Sequence, residues 1–132
     1  MIGYWIQRHD YSADDVSESS LEQTIKAFND FDWALELSQF KENVEGKDCP
    51  PGIGINNGKP LNEERGFLLH ICPIDKHKIF FNFHYQKPSS IFGISTGTSA
   101  EIHHVTGYPK SEVSNLIKQF YAGKYDQLIA IK

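Results

Sequence analysis

The chain lacks any apolar run close to the roughly 20 residues needed to span a bilayer. Its first residues, MIGYWIQRHDYSADD, have neither the basic start nor the long apolar segment of a secretory leader. These two absences lead to the expectation of a cytoplasmic protein with no membrane partner. Cysteine is scarce. Cys49 and Cys72 alone cannot make a disulfide framework, which suits a compartment where thiols stay reduced. Internal repeats and low-complexity linkers are missing too. At 132 residues with 39% hydrophobic side chains, the sequence reads as one domain, residues 1–132, long enough to bury a core.

The common signatures of cofactor and metal chemistry are equally scarce. Gly52 and Gly54 form a short glycine pattern, but no GxGxxG and no Gly-Lys-Ser/Thr follows, so phosphate cradling is not expected there. There is no HExxH, no paired CxxC and no GxSxG. Accordingly, no cofactor is expected. Nor is there an excess of positive charge: the formal net charge is -4. It is unevenly spread, with thirteen acidic and six basic side chains in residues 1–66 against four and seven in residues 67–132. An acidic first half argues against nucleic acid as partner, because phosphate binding needs a basic stripe. It suits a basic protein, since complementary potentials steer association.

What is present centres on Gly66 to Tyr85, GFLLHICPIDKHKIFFNFHY. Gly66 to Cys72 and Ile79 to Tyr85 are short apolar runs bounded by turn residues, which read as adjacent antiparallel strands. Side chains alternate along a strand, so pairing parity decides which residues share a face. The parity that gathers Phe67, Leu69, Ile71, Ile79, Phe81, Phe83 and Tyr85 makes one core face. It leaves Leu68, His70, Cys72, Phe80, Asn82 and His84 on the other.

Around this hairpin, Ile2 to Arg8 alternates as a strand, and His9 to Glu18 reads as a polar loop. Ser20 with Gln23 fits a capping box opening a helix whose Leu21, Ile25 and Phe28 share a face, ending at Asn29 and Asp30. Phe31 to Leu37, FDWALEL, has period two and predicts a strand, followed by a charged loop from Ser38 to Asp48. Gly52 to Ile55 reads as a short strand and Asn56-Asn57-Gly58 as a hairpin turn. Ile91 to Ile94 predicts a strand, Ser95 to Ala100 a polar loop, and Glu101 to Thr106 a strand broken by Gly107. Pro109, then Val113, Leu116, Ile117 and Phe120, then Gly123, mark a helix with its start and stop. Tyr125 to Ile131 reads as a short strand or tail. The sum is an α+β domain: a mainly antiparallel sheet of about five to seven strands with two helices packed on it.

His70, Cys72 and His84 on one face, with Asn82, could ligate zinc, and one of His103 and His104 could join. The bland alternative is a polar sheet face with hydrogen-bonded histidines, which the missing ligand spacings favour. Cys72 lies in an apolar strand, where a thiol is inert, while Cys49 precedes two prolines without a base beside it. Trp5, Trp33, Tyr4, Tyr11, Tyr85, Tyr108, Tyr121 and Tyr125 exceed the obvious needs of a core. Exposed beside acids, such aromatics make protein-binding surfaces, although any single one is more often core or rim.

The succession LLHIC, IFFNFHY and IFGIST, then SEVSNLIKQFYAG and a short tail, preceded by an acidic half with FDWALEL after a helix, resembles the small immunity proteins of bacterial polymorphic-toxin and contact-dependent growth inhibition systems, the deaminase-inhibitor-like group in particular. The resemblance implies an inhibitor rather than an enzyme. It would be a monomer or weak homodimer that occludes a cognate toxin C-terminal domain, a nuclease or nucleic-acid-modifying enzyme. The carboxylates that would stand in for phosphates are Asp14, Asp15, Glu18, Glu22, Asp30, Asp32 and Glu36, with Trp33 as an aromatic anchor. The competing expectation is a small metal-dependent or histidine-based hydrolase using His70, His84 and His103.

Overall fold

A computed structural model describes residues 1–40, 50–62, 65–91 and 93–132. It is α+β, with a six-stranded antiparallel sheet in the order β2-β1-β3-β4-β5-β6. The strands are β1 (Gly3–Gln7), β2 (Ala13–Val16), β3 (Gly52–Asn56), β4 (Leu68–Pro73), β5 (Lys78–Ile91) and β6 (Ile94–Pro109). The helices are α1 (Leu21–Asp30), α2 (Trp33–Gln39), α3 (Val113–Tyr121), entered through a 3-10 turn at Lys110–Glu112, and α4 (Tyr125–Ala130).

The central hairpin forms in the parity expected of it. Leu69 pairs with Phe83 and Ile71 with Phe81, while His70 pairs with Asn82 and Leu68 with His84. The first set faces the helices. Ile53, Ile55, Leu69, Ile71, Ile79, Phe81 and Phe83 are fully buried there, packed against Phe28, Leu116, Ile117, Phe120 and Leu128. Side chains of this size each contribute roughly 1.5–3 kcal/mol on burial. Tyr125 stacks on Phe67 at 3.8 Å and on Phe83 at 5.8 Å, with Phe120 edge-on to Phe83 at 6.3 Å.

α1 opens on the expected capping box. Ser20 Oγ accepts from Gln23 N, and Gln23 Oε1 accepts from Ser20 N. α3 buries Val113, Leu116, Ile117 and Phe120 and stops before Gly123, whose φ of 72° few other residues adopt.

Several expectations are corrected. Phe31 to Leu37 is not a strand: α2 occupies Trp33–Gln39, N-capped by Asp32 Oδ1, which accepts from Leu35 N at 3.1 Å. The period of two misled because burial follows the helical spacing: Trp33 and Glu36 are buried while Leu35 is 50% exposed. Good helix formers and the cap win. The polar segment 9–18 contains β2, held by backbone pairing to β1 although its ADDV sequence has no apolar face. Ser95 to Ala100 belongs to β6, and of the strand expected over 91–94, Ile91 ends β5, Ile94 opens β6, Gly93 has φ 78° and Phe92 lies outside the described residues. Gly107 does not end β6. At φ 73° it is the extra residue of a β-bulge, where pairing shifts from Ile79–Tyr108 to Phe80–Thr106. β3 and β4 are joined by the longer stretch 57–67, so Asn56-Asn57-Gly58 is a local turn, closed by Gly58 N donating to Asn56 Oδ1 at 2.9 Å. Residues 125–131 hold α4 instead of a strand. Of the charged loop expected over Ser38 to Asp48, Ser38 and Gln39 end α2 and 41–48 lie outside the described residues, as does Cys49.

Candidate functional site

Candidate side chains form two sets that share Asp15, a row across the sheet and an acidic group at its β2 edge. On the face away from the helices, one row crosses every strand: Asp15, Trp5, Gly54, His70, Asn82 and His104 are successive cross-strand neighbours. The missing side chain of Gly54 lets the Trp5 indole lie across β3. A Cβ there would stand 2.2 Å from the ring. The indole thereby reaches His70, with ring centroids 5.1 Å apart. Next along β4, Cys72 Sγ lies 3.2 Å from His70 Nε2 and has no exposed surface. Burial pushes the His70 imidazole down to about 4, and the nearby His84 adds to the effect. His84 is itself lowered by burial. Across β5, His104 Nδ1 meets Asn82 Oδ1 at 2.5 Å, which makes that nitrogen the donor.

This arrangement brings His70, Cys72, Asn82 and His84 to one face, as the parity argument expects. It does not bring His103 to them. His103 pairs with Phe83 and faces the helices, where its Nε2 lies 2.6 Å from the Ile131 carbonyl. The three-histidine set proposed for a hydrolase is therefore divided by the sheet, and His104 is the neighbour that shares the His70 face. Among the described residues, no three His, Cys, Asp or Glu side chains converge to hold a metal ion. A thiol without accessible surface beside a neutral imidazole is a packed hydrogen-bonding pair, not a displayed nucleophile.

The second set is acidic and follows β2 into α1. Asp14, Asp15, Glu18, Glu22 and Asp30 are exposed. Asp14 is engaged by Arg8, whose hydrogen bond holds the carboxyl below its usual range. Asp30 is engaged by Lys26 one helical turn earlier. Asp15, Glu18 and Glu22 have no cationic partner among the described residues. Beside Glu18 runs an open groove of about 400 Å³, lined by Tyr4, Val16, Gln23, Lys26 and Ala27 among others.

Three of the expected contact residues stand elsewhere. Asp32 caps α2. Trp33 is 3% exposed, packed at tilted angles against the rings of Phe28 and Phe31, and its Nε1 donates to the Phe28 carbonyl at 2.8 Å. It is no surface anchor. Glu36 is 8% exposed and receives both the His9 backbone N–H, at 2.8 Å, and a contact from His9 Nδ1, at 2.5 Å. That carboxylate ties the end of β1 to α2.

Most of the remaining aromatic surplus is also absorbed by packing. The Tyr121 hydroxyl joins Ser19 and Thr24 in a shielded network, and Tyr108 stands edge-on to Phe81. Trp5, one of the eight aromatics counted as surplus from the sequence, is the one that the sheet sets beside His70. The signal was its strand parity opposite Ile6, together with a glycine at the facing position.

Among the described residues, no helix is long and apolar enough to cross a membrane. Comparison with known protein families, with characterised proteins and with solved structures returned no match for this chain.

Proposed function

We propose that this chain is a protein-binding inhibitor of the immunity class, which holds a basic toxin domain against the β2–α1 surface. The observation that carries this reading is the group of exposed carboxylates Asp15, Glu18 and Glu22, none neutralised by a cation among the described residues. A nuclease-type active site is lined with cations that expect phosphates. Carboxylates presented from a strand edge and the start of a helix meet the same cations, steer the encounter and block access. The adjoining groove offers Tyr4, Val16 and Ala27 as apolar contact area beside Glu18. Support therefore comes from the sign and exposure of these carboxylates at the β2 edge and the start of α1, together with the uneven charge of the chain.

The test is capture of the partner by the tagged chain from its native host, with the retained proteins identified by mass spectrometry. The expected result is one-to-one recovery of the C-terminal part of a large secreted protein, whose toxicity the chain suppresses. Binding should weaken as salt rises, because exposed charges are screened. The triple charge reversal D15K, E18K, E22K should abolish suppression while leaving the circular dichroism spectrum unchanged. Undiminished suppression by this folded triple variant would move the contact off the β2–α1 surface. Capture of a metabolic enzyme or adaptor instead would refute the immunity class.

A further inference from the structure

The two edges of the sheet are protected unequally. β2 is four residues long and carries Asp14 and Asp15, the short and charged build that discourages pairing with another chain. β6 is sixteen residues long, pairs only with β5 among the described residues, and has a single formal charge, Glu101. It also exposes Ile102 at 59%. Long edges of this composition are templates for strand addition.

The bulges define how much of the edge is regular. Pairing with β5 shifts at Gly107 and again between Ser89 and Ser90, beside Gly97 at φ 100°. Between these irregularities Gly97 to Thr106 runs in unbroken register, roughly 34 Å of strand at about 3.4 Å per residue. Glu101 and Ile102 are its two central residues.

We infer that β6 is a self-pairing edge, on which two copies of this chain join antiparallel about a twofold axis at Ile102. A twofold axis normal to the sheet pairs residues equidistant from the centre and keeps each on its own face. Ile102 then meets Ile102 of the second copy, which covers the exposed apolar side chain on the helix-free face. On the helix face Glu101 meets His103 of the second copy, and the same pair recurs by symmetry. The one carboxylate of the edge thus lies opposite an imidazole instead of its own copy, which avoids a like-charge cross-strand pair. Shifting the axis to Glu101 would oppose two carboxylates. Shifting it to His103 would oppose two imidazoles and pair Ile102 with His104. Self-pairing leaves β2 at the two outer ends of the joined sheet, so it is independent of the toxin-binding reading.

Sedimentation equilibrium over a concentration series tests it. The wild-type mass should rise toward twice the 15.1 kDa of one chain, and I102K, which opposes two ammonium groups at a solvent-exposed position, should stay at the mass of one chain. The register is tested by oxidation. I102C should give a disulfide-linked dimer, whereas T106C, which faces Thr98 of the second copy, should not, with the wild-type chain controlling for Cys49 and Cys72. A single-chain mass for folded wild-type protein at every concentration overturns the inference, as does a dimer that survives I102K or equal cross-linking at positions 102 and 106. A monomeric wild type whose captured partner is lost in I102K assigns the edge to that partner and overturns self-pairing.

Discussion

Acidification should destabilise this fold well before its carboxylates titrate, and His70 is the reason. The imidazole is held between the Trp5 ring and Cys72 Sγ, and burial lowers it from 6.5 to about 4. Above pH 6.5 it is neutral whether the chain is folded or not, and contributes nothing to pH dependence. Between 6.5 and 4 the unfolded chain takes up a proton that the folded chain refuses, so stability falls as pH falls. The slope is about 1.4 kcal/mol per pH unit for one proton, and the full loss is about 3 kcal/mol. Below about 4 both states are protonated and the effect is complete. His84, also lowered by burial, adds to the loss in the same direction. Asp10, Asp14 and Asp75 are lowered from 3.8, by hydrogen bonds from Ser12, Arg8 and the backbone of His77 and Lys78 respectively. Their contribution is lost only below that value, which leaves the histidine window clear. Against a typical stability of about 5–15 kcal/mol, a loss of this size is readily measured. The assay is urea unfolding followed by tryptophan fluorescence from pH 7.5 to pH 4, for the wild-type chain and for H70Q. The wild type should lose stability across the window and the variant should lose markedly less. Parallel curves would refute the claim that His70 is held neutral by the fold.

Two further substitutions test the packing on either side of the sheet. G54A places a methyl group 2.2 Å from the Trp5 ring and should cost about 1–3 kcal/mol, as overpacking does. Trp5 emission should shift to the red as the indole is displaced, and an unchanged spectrum and melting temperature would show that the ring does not lie over β3. Y121F removes the hydroxyl that bonds Ser19 Oγ at 2.9 Å and Thr24 Oγ1 at 2.6 Å. It should cost about 1–3 kcal/mol in urea unfolding, because it strips a partner from shielded hydroxyls, and a neutral result would mean that water replaces it.

Side-chain alternation on β4 and β5, the capping box at Ser20 and the apolar stripe of α3 are local features, and each was legible in the sequence. Of the two parities a hairpin allows, the one that gathers the apolar residues on one face was preferred from the sequence, and the observed pairing of Leu69 with Phe83 and His70 with Asn82 fixes it. Phe31 to Leu37 was misread because four alternating apolar residues suit a strand, while the cap at Asp32 and the burial of Trp33 with Glu36 depend on what packs beside them. β2 was hidden for the complementary reason: ADDV has no apolar alternation, and only hydrogen bonding to β1 makes it a strand. The acidic character of the first half was visible in composition. Which of its carboxylates are neutralised, buried or left exposed was decided by the positions of Arg8, His9 and Lys26 in space.

The same division holds for the chemistry. Sequence alone placed His70 and Cys72 on one face, because side-chain direction repeats every two residues along a strand, and it favoured the parity that adds His84, which the pairing of Leu68 with His84 bears out. Only the tertiary structure decided that His103 stands across the sheet from them, that Trp5 lies over Gly54 beside His70, and that β6 is the long edge with a single formal charge. Those facts depend on register, bulges and strand order, which arise from contacts between residues far apart in the chain.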